Sequence, residues 1–313
     1  MGAQGAGVSA QTLSHVALLY YREGLTQGEI ARRIGLSRAT VVNYLRLARE
    51  SGIVEIRING DGFTASRLSH ELTRRWSLEA AYVARSDGGT DPAATLAEVA
   101  GIAVHSLLSP GDRLGVAWGE TVQRVADALP IRAVPGLMVH QMVGSMYDAH
   151  LHAAENCTMK IARKCGADCR TLHAPAILSR PDLAEALRAE PIIALQLARF
   201  GDLSHALFSV GDTGAGTTLV TSGIAPAEEV ARYEKAGARA VLCGHFIDGN
   251  GAVMETPLGA RLIGITPAQL AAVPVRMLVA AGAGKRAAVR ALLVGGYVSH
   301  LVIDEASAEA LLA

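Results

Sequence analysis

Hydrophobic positions near the start of the chain recur with the three-to-four-residue spacing of α-helices. The pattern predicts three short helices, which run from Leu13 to Glu23, from Gln27 to Ile34, and from Ser37 to about Glu50. Thr26 precedes the second helix and Glu29 follows three residues later, which is the spacing of a capping box. Together these elements predict a small all-α domain.

The pattern changes after the third helix. Residues 53–58 alternate like a short strand, and the cluster Asn59-Gly60-Asp61-Gly62 strongly favours a turn. We therefore predict a domain boundary here, with residues 1–60 forming one domain and residues 61–313 the other.

Short apolar runs alternate with helical patterns over the rest of the chain, after a linking helix predicted over Ser66–Trp76. Such alternation predicts a mostly parallel sheet covered by helices on both faces, and hence an α/β domain. The predicted strands are 80–84, 113–116, 137–142, 206–210, 240–243, 276–280 and 297–303, and the predicted helices are 91–108, 120–129, 153–166, 285–293 and 304–312.

The formal net charge of the 313 residues is zero, which by itself argues against a nucleic-acid-binding protein. The charge is unevenly distributed, however. Residues 1–60 contain seven arginines and four glutamates, a balance of +3, which leaves −3 for the remainder. This asymmetry suggests that the N-terminal domain meets a polyanion.

Half of the residues are hydrophobic, so the chain can bury a sizeable core. It contains no apolar run long enough to span a membrane, and its first ten residues do not resemble a signal peptide. We therefore expect a cytoplasmic protein with reduced cysteines, no membrane partner and no cofactor.

The segment from Leu25 to Leu45 is the most specific feature of the sequence, because two capped helices separated by a tight turn are typical of a helix-turn-helix. The side chains predicted to form its core are Ile30, Ala31, Ile34, Leu36, Val41, Val42 and Leu45. The opposite side of the second of these helices carries Ser37, Arg38, Thr40, Asn43 and Arg46.

These polar residues suit a helix that reads DNA. Arginine can bridge guanine O6 and N7, and asparagine can pair with adenine N6 and N7. Gln27, Arg32, Arg33 and Arg49 are better placed to contact phosphates, which position a protein without specifying sequence. The alternative is a three-helix unit that serves only packing or dimerisation, and we prefer DNA binding because the outward face is polar.

The sequence resembles the SorC/DeoR group of sugar-responsive regulators over nearly its whole length. The resemblance rests on LTQGEIARRIGLSRATVVNYLRLARESGIVEIRI, PGDRLGVAWGETVQRVADAL, VHQMVGS, LFSVGDTG, GHFIDGNG and AAGAGKRAAVRALLVGGYVSHLVIDEASAEALL. It implies an effector domain similar in fold to glucosamine-6-phosphate deaminase and ribose-5-phosphate isomerase. It also implies a homotetramer, with dimers as the minimal DNA-reading unit, and a phosphorylated sugar or polyol as effector.

Two glycine-rich turns are candidates for the effector site. Gly115–Thr121 joins a predicted strand to a predicted helix, and Gly211–Gly214 follows another strand. Glycine allows a ligand to approach the backbone closely, and the free amides at a helix start attract anions. In an open α/β sheet both turns would lie at the carboxyl ends of strands, where ligands bind.

Lys285, at the start of a helix, could add a positive charge, and Asp248 could accept hydrogen bonds from sugar hydroxyls. The resemblance implies that the tryptophan-glycine loop, this aspartate and this lysine contribute to effector binding, and Gln141 resembles a further pocket-lining position. The predicted effector residues are Gly115, Trp118, Gly119, Glu120, Thr121, Gln141, Gly144, Gly211, Asp212, Asp248 and Lys285. Some members of the group form a Schiff base through a nearby lysine, but VHQMVGS contains none, so we predict no covalent capture.

A metal sensor, an enzyme and a structural nucleoid protein are the alternative functions. The cysteine and histidine residues at 150–173 suggest a metal site, but Cys157 and Cys165 would lie about 12 Å apart on one helix, too far to share an ion. We predict no metal.

A sugar-phosphate isomerase or deaminase needs a positioned base, and Glu120, His140, Asp212 and His245 are candidates that form no compact motif. A structural nucleoid protein would bind DNA with neither ligand response nor marked sequence preference.

Overall fold

A computed structural model describes residues 8–54, 67–85, 91–146, 154–214 and 217–313 of the chain. Contacts within the chain divide it into two units, residues 1–59 and residues 60–313. The domain boundary predicted after residue 60 lies outside the described residues.

The first unit contains three helices, α1 (Ala10–Tyr21), α2 (Gln27–Ile34) and α3 (Arg38–Glu50). The Thr26 hydroxyl accepts a hydrogen bond from the Glu29 amide, and the Glu29 carboxylate accepts one from the Thr26 amide, which confirms the capping box. The hydrogen bond from the Thr26 hydroxyl also lowers the pKa of Glu29. Gly35 ends α2 in the left-handed conformation at φ 68° and so turns the chain into α3.

The apolar faces of these helices meet in a small core, which includes Val16, Leu19, Ile30, Val41 and Leu45. The prediction that Val42 belongs to this core is wrong, because 44% of Val42 is exposed. The stripe that α3 buries runs through positions 41, 45 and 48, and position 42 is rotated away from it by about 100°. Most of the strand predicted at 53–58 lies outside the described residues.

The second unit is a layered α/β domain. Its helices are α4 (Arg67–Trp76), α5 (Pro92–Leu107), α6 (Glu120–Ala128), α7 (Ala154–Cys165), α8 (Pro181–Ala189), α9 (Pro191–Ala198), α10 (Thr218–Thr221), α11 (Ala227–Lys235), α12 (Pro267–Ala272), α13 (Arg286–Val294) and α14 (Glu305–Leu312). Its strands are β1 (Ala80–Ala84), β2 (Arg113–Val116), β3 (Met138–Gln141), β4 (Asp168–Arg170), β5 (His205–Phe208), β6 (Ala238–Leu242), β7 (His245–Asp248), β8 (Val275–Ala280) and β9 (His300–Asp304). Within the described ranges, no helix is both long and apolar enough to cross a membrane.

Seven of these strands form one sheet in the order β1-β9-β8-β5-β2-β3-β4, and every neighbouring pair is parallel. The predicted fold class, a helical N-terminal unit followed by a mostly parallel α/β domain, is confirmed. Two apolar clusters of buried side chains cover the sheet, which explains why its central strands are apolar on both faces.

The run at 240–243 does not belong to this sheet, contrary to the sequence-based prediction. It forms part of β6, which pairs with β7 in a separate antiparallel hairpin. Cys243 (φ 49°) and Gly244 (φ 91°) form the two-residue turn between them. A turn with positive φ at both central positions reverses the chain within two residues, so β7 returns beside β6.

The capping box of α2 predicts a stability effect confined to the first unit. Thr26→Ala removes the side-chain acceptor for the Glu29 amide, so we expect the free energy of unfolding of this unit to fall by about 1 kcal/mol. Circular dichroism of urea unfolding would detect the change. Tryptophan fluorescence would not, because Trp76 and Trp118 both lie in the second unit.

Thr26→Ser is the matched control, since it keeps the capping oxygen. An equal loss of stability in the serine and alanine variants would contradict the assignment of the effect to the cap.

Candidate functional site

Three turns meet at the carboxyl edge of the seven-stranded sheet. They follow β2, β5 and β8, which are adjacent in the order β8-β5-β2. Because the three strands are parallel, all three turns emerge at the same edge. This geometry places together residues that are more than 150 positions apart in the sequence.

The turn after β2 leads directly into α6. Gly119 stands at the N-cap of this helix with φ 109° and ψ 161°, a conformation that is essentially restricted to glycine. It supplies no capping side chain. The first hydrogen bond of the helix runs from the Gln123 amide to the Gly119 carbonyl, 2.9 Å, so the amides of Glu120 and Thr121 precede the helical ladder. These amides make the start of α6 attractive to an anion.

The turn after β5 contains Gly211 and Asp212. Gly211 exchanges two backbone hydrogen bonds with Val241 of β6, at 3.0 and 2.8 Å, which fastens the hairpin to this turn. The Asp212 carboxylate accepts a hydrogen bond from the Gly214 amide, 2.9 Å. The backbone here is therefore fixed by contacts of its own.

The turn after β8 carries Lys285. The Gly282 amide donates to the carboxylate of Asp304, 2.8 Å, and Asp304 also caps α14. β9 lies beside β8 in the sheet. Asp304, at the end of β9, therefore fixes the turn that follows β8. The Lys285 ammonium lies 3.5 Å from the Thr121 hydroxyl at the start of α6.

Burial lowers the pKa of Lys285, and the nearby Asp212 and Glu120 oppose that shift. A half-buried ammonium close to a helix N-terminus is poorly solvated, so a bound anion would stabilise its charged form. We term the space between the three turns the effector cavity.

The effector cavity has a volume of about 210 Å³. It is smaller than the roughly 300–1,000 Å³ typical of sites for drug-sized ligands, so it suits a small metabolite. Its lining is predominantly polar and consists of Trp118, Gly119, Glu120, Thr121, Ser209, Val210, Gly211, Asp212, Thr217, Thr218, Leu219, Val241, Cys243 and Lys285.

Two hydroxyl groups in the lining are buried and have no hydrogen-bond partner among the described residues. They belong to Ser209 and Thr217. A buried hydroxyl without a partner costs free energy. A ligand bearing hydroxyl or phosphate oxygens would provide the missing partners.

Seven of the predicted effector residues lie together in this lining: Trp118, Gly119, Glu120, Thr121, Gly211, Asp212 and Lys285. Trp118 also packs against both the main core and the cluster around the hairpin, so it has a structural role as well. The Glu120 carboxylate pairs with Arg124, 2.8 Å.

Four predicted effector residues lie outside the lining. Gly115 is a packing glycine inside β2, where an added Cβ would lie 2.5 Å from the Met142 sulfur. Gly144 is equally constrained, because a Cβ there would lie 2.5 Å from the Pro175 carbonyl oxygen. Both glycines are explained by close approach within the core.

The other two are Gln141 and Asp248, whose side chains bind backbone groups. The buried Gln141 amide donates to the Val143 carbonyl, 2.8 Å, and accepts from the Leu172 amide, 3.0 Å. The Asp248 carboxylate accepts from the amides of Asn250 and Ala252, at 2.9 and 2.8 Å, and so holds its own turn.

The candidate acid-base residues do not converge on one site. Asp212 and Glu120 line the effector cavity, whereas His140 and His245 do not. Burial lowers the pKa of His245 to about 4, with Arg188 adding to the effect, so its imidazole is neutral near pH 7. No described residue set contains three close metal-binding side chains, and His150 and His152 of the metal hypothesis lie outside the described residues.

Seven residues of the lining were not predicted from the sequence: Ser209, Val210, Thr217, Thr218, Leu219, Val241 and Cys243. Ser209 follows directly after β5, a position that could have been suspected from the strand pattern alone. Val241 and Cys243 reach the cavity only because β6 pairs with the turn after β5. Burial raises the pKa of the Cys243 thiol to about 12, so it remains protonated.

The outward face of α3 forms the candidate DNA-reading surface, which comprises Arg38, Thr40, Val42, Asn43 and Arg46. The Ser37 hydroxyl caps the helix by accepting from the Thr40 amide, 3.0 Å. The Arg46 guanidinium donates to the Asn43 side-chain oxygen, 2.8 Å, and pairs with Glu50. Arg38 is exposed and, within the described residues, forms no ion pair.

The candidate phosphate contacts lie on α2. Arg32 and Arg33 are exposed, and Gln27 is half-buried at the first position of the helix. Arg33 pairs with Glu23 at 3.2 Å, but both side chains remain largely accessible. An exposed pair of this kind is weak, so the arginine can exchange its partner for a phosphate.

Comparison with known proteins adds to this geometry. The family described as “Putative sugar-binding domain” matches residues 62–313, and a winged helix-turn-helix DNA-binding family matches residues 17–55. The transcriptional regulator YjhU of Escherichia coli K12 is 32% identical, over 96% of this chain and 93% of YjhU.

Two further relatives match over nearly their whole length. The deoxyribonucleoside regulator of Bacillus subtilis is 27% identical, over 94% of this chain and 95% of its own. The crystal structure of the full-length sorbitol operon regulator SorC from Klebsiella pneumoniae superposes with a TM-score of 0.74 at 25% identity, covering 97% of this chain and 99% of that chain.

Gly115→Ala tests the structural explanation of this glycine. The added methyl would overlap Met142 and Leu203, so we expect the second unit to lose about 1–3 kcal/mol of unfolding free energy. Urea unfolding followed by tryptophan fluorescence measures the loss. Gly201→Ala is the control, because nothing lies within 4 Å of its added Cβ.

A folded, fully stable Gly115→Ala protein that no longer bound its small-molecule ligand would contradict the packing explanation and restore this glycine to the binding site.

Proposed function

We propose a mechanism from the premise that this chain belongs to the SorC family of sugar-binding transcriptional regulators. The chain is a DNA-binding transcriptional regulator with a helix-turn-helix and a sugar-binding domain. We propose that its effector is a small phosphorylated sugar or polyol, and that the genes it controls form a carbohydrate or polyol catabolic operon.

The arrangement of Lys285 beside the start of α6 carries the proposal for a phosphate. Lys285 and the first residues of α6 line the same small cavity, and the ammonium group lies 3.5 Å from the Thr121 hydroxyl. Together they offer charge and fixed hydrogen-bond donors to one oxyanion. The unpartnered hydroxyls of Ser209 and Thr217 are the proposed contacts for the polyhydroxylated part of the ligand.

We propose that the domain senses its ligand and does not convert it. Proton abstraction beside a carbonyl needs a base with a suitable pKa within hydrogen-bond reach of the substrate. Among the described lining residues, Glu120 pairs with Arg124 and Asp212 accepts from the Gly214 amide, while the imidazoles of His140 and His245 lie outside the cavity. Turnover of aldose or ketose phosphates by the purified protein, without operator binding, would overturn this view.

For operator recognition, we propose base contacts by Arg38, Thr40, Val42, Asn43 and Arg46, with Ser37 at the start of the helix and Gln27, Arg32 and Arg33 on phosphates. Arg38 is the first residue of α3, where a recognition helix meets base edges. The exposed Val42 adds an apolar group, which suits the methyl group of thymine.

We further propose a homo-oligomer, a dimer or tetramer, that places two or more recognition helices in successive major grooves of a palindromic operator. The effector would shift the population of quaternary arrangements, and so alter operator affinity. Sedimentation of the free protein and of its operator complex tests the oligomeric state.

Lys285→Ala should weaken effector binding strongly. Loss of a hydrogen bond to a charged group costs about 1.5–3 kcal/mol, or roughly a ten- to hundredfold increase in Kd. Thermal-shift and calorimetric titrations with pentose, hexose and hexitol phosphates, each beside its unphosphorylated counterpart, would measure the change. Operator affinity in the absence of effector should not change.

Lys235→Ala is the matched control, because Lys235 is exposed at the end of α11 outside the cavity. Unchanged binding of sugar phosphates by the Lys285 variant would contradict the assignment of this lysine to the phosphate. Operator affinity is measured separately and does not depend on that outcome.

Val42→Ala tests thymine recognition. Replacing a contacted thymine of a selected operator by uracil removes one methyl group, worth about 0.8 kcal/mol or roughly a fourfold loss of affinity. The variant should bind the two operators equally. Leu18→Ala, on the exposed face of α1, should keep the difference, since Leu18 is similarly exposed but lies on another helix.

A wild-type protein that is insensitive to uracil at every thymine of the operator would show that Val42 contacts no methyl group.

A further inference from the structure

A second cavity of about 380 Å³ lies against one face of the sheet, beneath α9. Its floor is formed by side chains of β2, β3 and β4, and it has no residue in common with the described lining of the effector cavity. Gln196 of α9 holds the helix in place, since its amide donates to the Thr171 carbonyl, 2.9 Å, and accepts from the His173 amide, 3.1 Å.

His140 projects from β3 into this second cavity and is only 4% exposed. Its Nε2 atom has no hydrogen-bond partner in the part of the chain that the structure describes. Buried polar nitrogens are rarely left in this state, because the lost hydration is not repaid. The unpartnered nitrogen therefore offers a hydrogen-bonding position to a ligand in this cavity.

Three arginines surround the opening: Arg113, Arg170 and Arg199. Arg113 and Arg170 lie on either side of β3. In the strand register, Arg113 of β2 is opposite Met138 of β3, and Arg170 of β4 is opposite His140 of β3. Arg199 forms a long ion pair with Asp202, 3.4 Å, but the exposed guanidinium groups of Arg113 and Arg170 form none within the described residues.

The positive charge of these arginines acts on His140. Burial, with added effects from Arg113, Arg170 and Arg199 and against that of Asp202, lowers the pKa of His140 to about 4. Its imidazole is therefore neutral near pH 7 and adds no charge of its own to that of the arginines.

Apart from Gln141 and Thr171, the remaining lining is apolar. Met138, Leu172 and Phe200 lie inside, while Ile192 and Leu195 of α9 are 62% and 60% exposed. A volume within the usual range for ligand sites, an apolar wall and a few converging polar groups are the features of a small-molecule pocket. Bulk phosphate would satisfy the arginines but leave the apolar wall uncovered.

We propose that this second cavity binds a small organic oxyanion, a carboxylate or phosphate carried on an apolar body, independently of the effector cavity. The oxyanion lies between Arg113 and Arg170, where bidentate hydrogen bonds are available. The apolar body lies against Met138, Phe200 and Leu195. The site makes the sensor domain responsive to a second chemical signal.

Calorimetric titration of the full-length protein with phenyl phosphate and with benzoate tests the proposal and distinguishes the two oxyanions. Inorganic phosphate and benzyl alcohol test the charge and the apolar body separately. We expect at least one aromatic anion to bind at least tenfold more tightly than either control. Each of Arg113→Gln and Arg170→Gln should weaken that binding roughly tenfold, the effect of one charge-assisted hydrogen bond.

Arg163→Gln is the matched control, because Arg163 is an exposed arginine of α7 outside both cavities. Its affinity for the aromatic anion should equal that of the wild type, as should that of Lys285→Ala. In NMR spectra, binding should shift the His140 side-chain signals and raise the pKa of this histidine, since a nearby anion favours the imidazolium.

Three results would overturn the proposal. The first is binding that persists unchanged in Arg113→Gln and Arg170→Gln. The second is binding that is lost in Lys285→Ala, which would place the anion in the effector cavity. The third is dissociation of an oligomer by either glutamine variant in sedimentation, which would show that a second copy of the chain covers these arginines.

Discussion

Parallel hydrogen bonding between neighbouring strands is the constraint on which the domain depends. With every pair in the seven-stranded sheet running the same way, each carboxyl end lies at one edge and each helix must return across a face. The turns after β8, β5 and β2 are consequently adjacent in space although the chain visits them in the order β2, β5, β8. The effector cavity exists because of this adjacency.

The groups that could bind an anion are held before any ligand arrives. Asp304 holds the Gly282 amide, the Val241 backbone holds Gly211, and the helical ladder of α6 holds the first-turn amides. Such preorganisation reduces the conformational entropy that binding would otherwise cost. Burial lowers the pKa of Lys285 and also reduces its contact with water, so an ionic contact made there is stronger than one at the surface.

In the helix-turn-helix, hydrogen bonds within the protein distinguish side chains that cap helices from side chains on the exposed face of α3. Thr26, Glu29 and Ser37 are used in helix caps, and Asn43, Arg46 and Glu50 form a linked group on one helix face. Asn43 and Arg46 stay exposed despite this pairing, as do Arg38 and Val42 at the beginning of α3. In the α/β domain, Gln141 and Asp248 are comparable to the capping residues, because their polar atoms are already satisfied by the backbone.

Local patterns in the sequence determined the helix caps, the start of α2 at Gln27, the apolar strands and the parallel α/β class, because caps and periodicity depend on neighbouring residues. They also located Trp118–Thr121 and Lys285, each at the junction of a strand and a helix. The helices α8, α9 and α12 were not predicted, although proline at the first position of each is a local signal for a helix start. Tertiary structure alone decided the rest. Burial turned Gly115 and Gly144 into packing residues, hairpin pairing brought Val241 and Cys243 to the effector cavity, and strand register placed three arginines around His140, since each outcome depends on contacts between residues far apart in the chain.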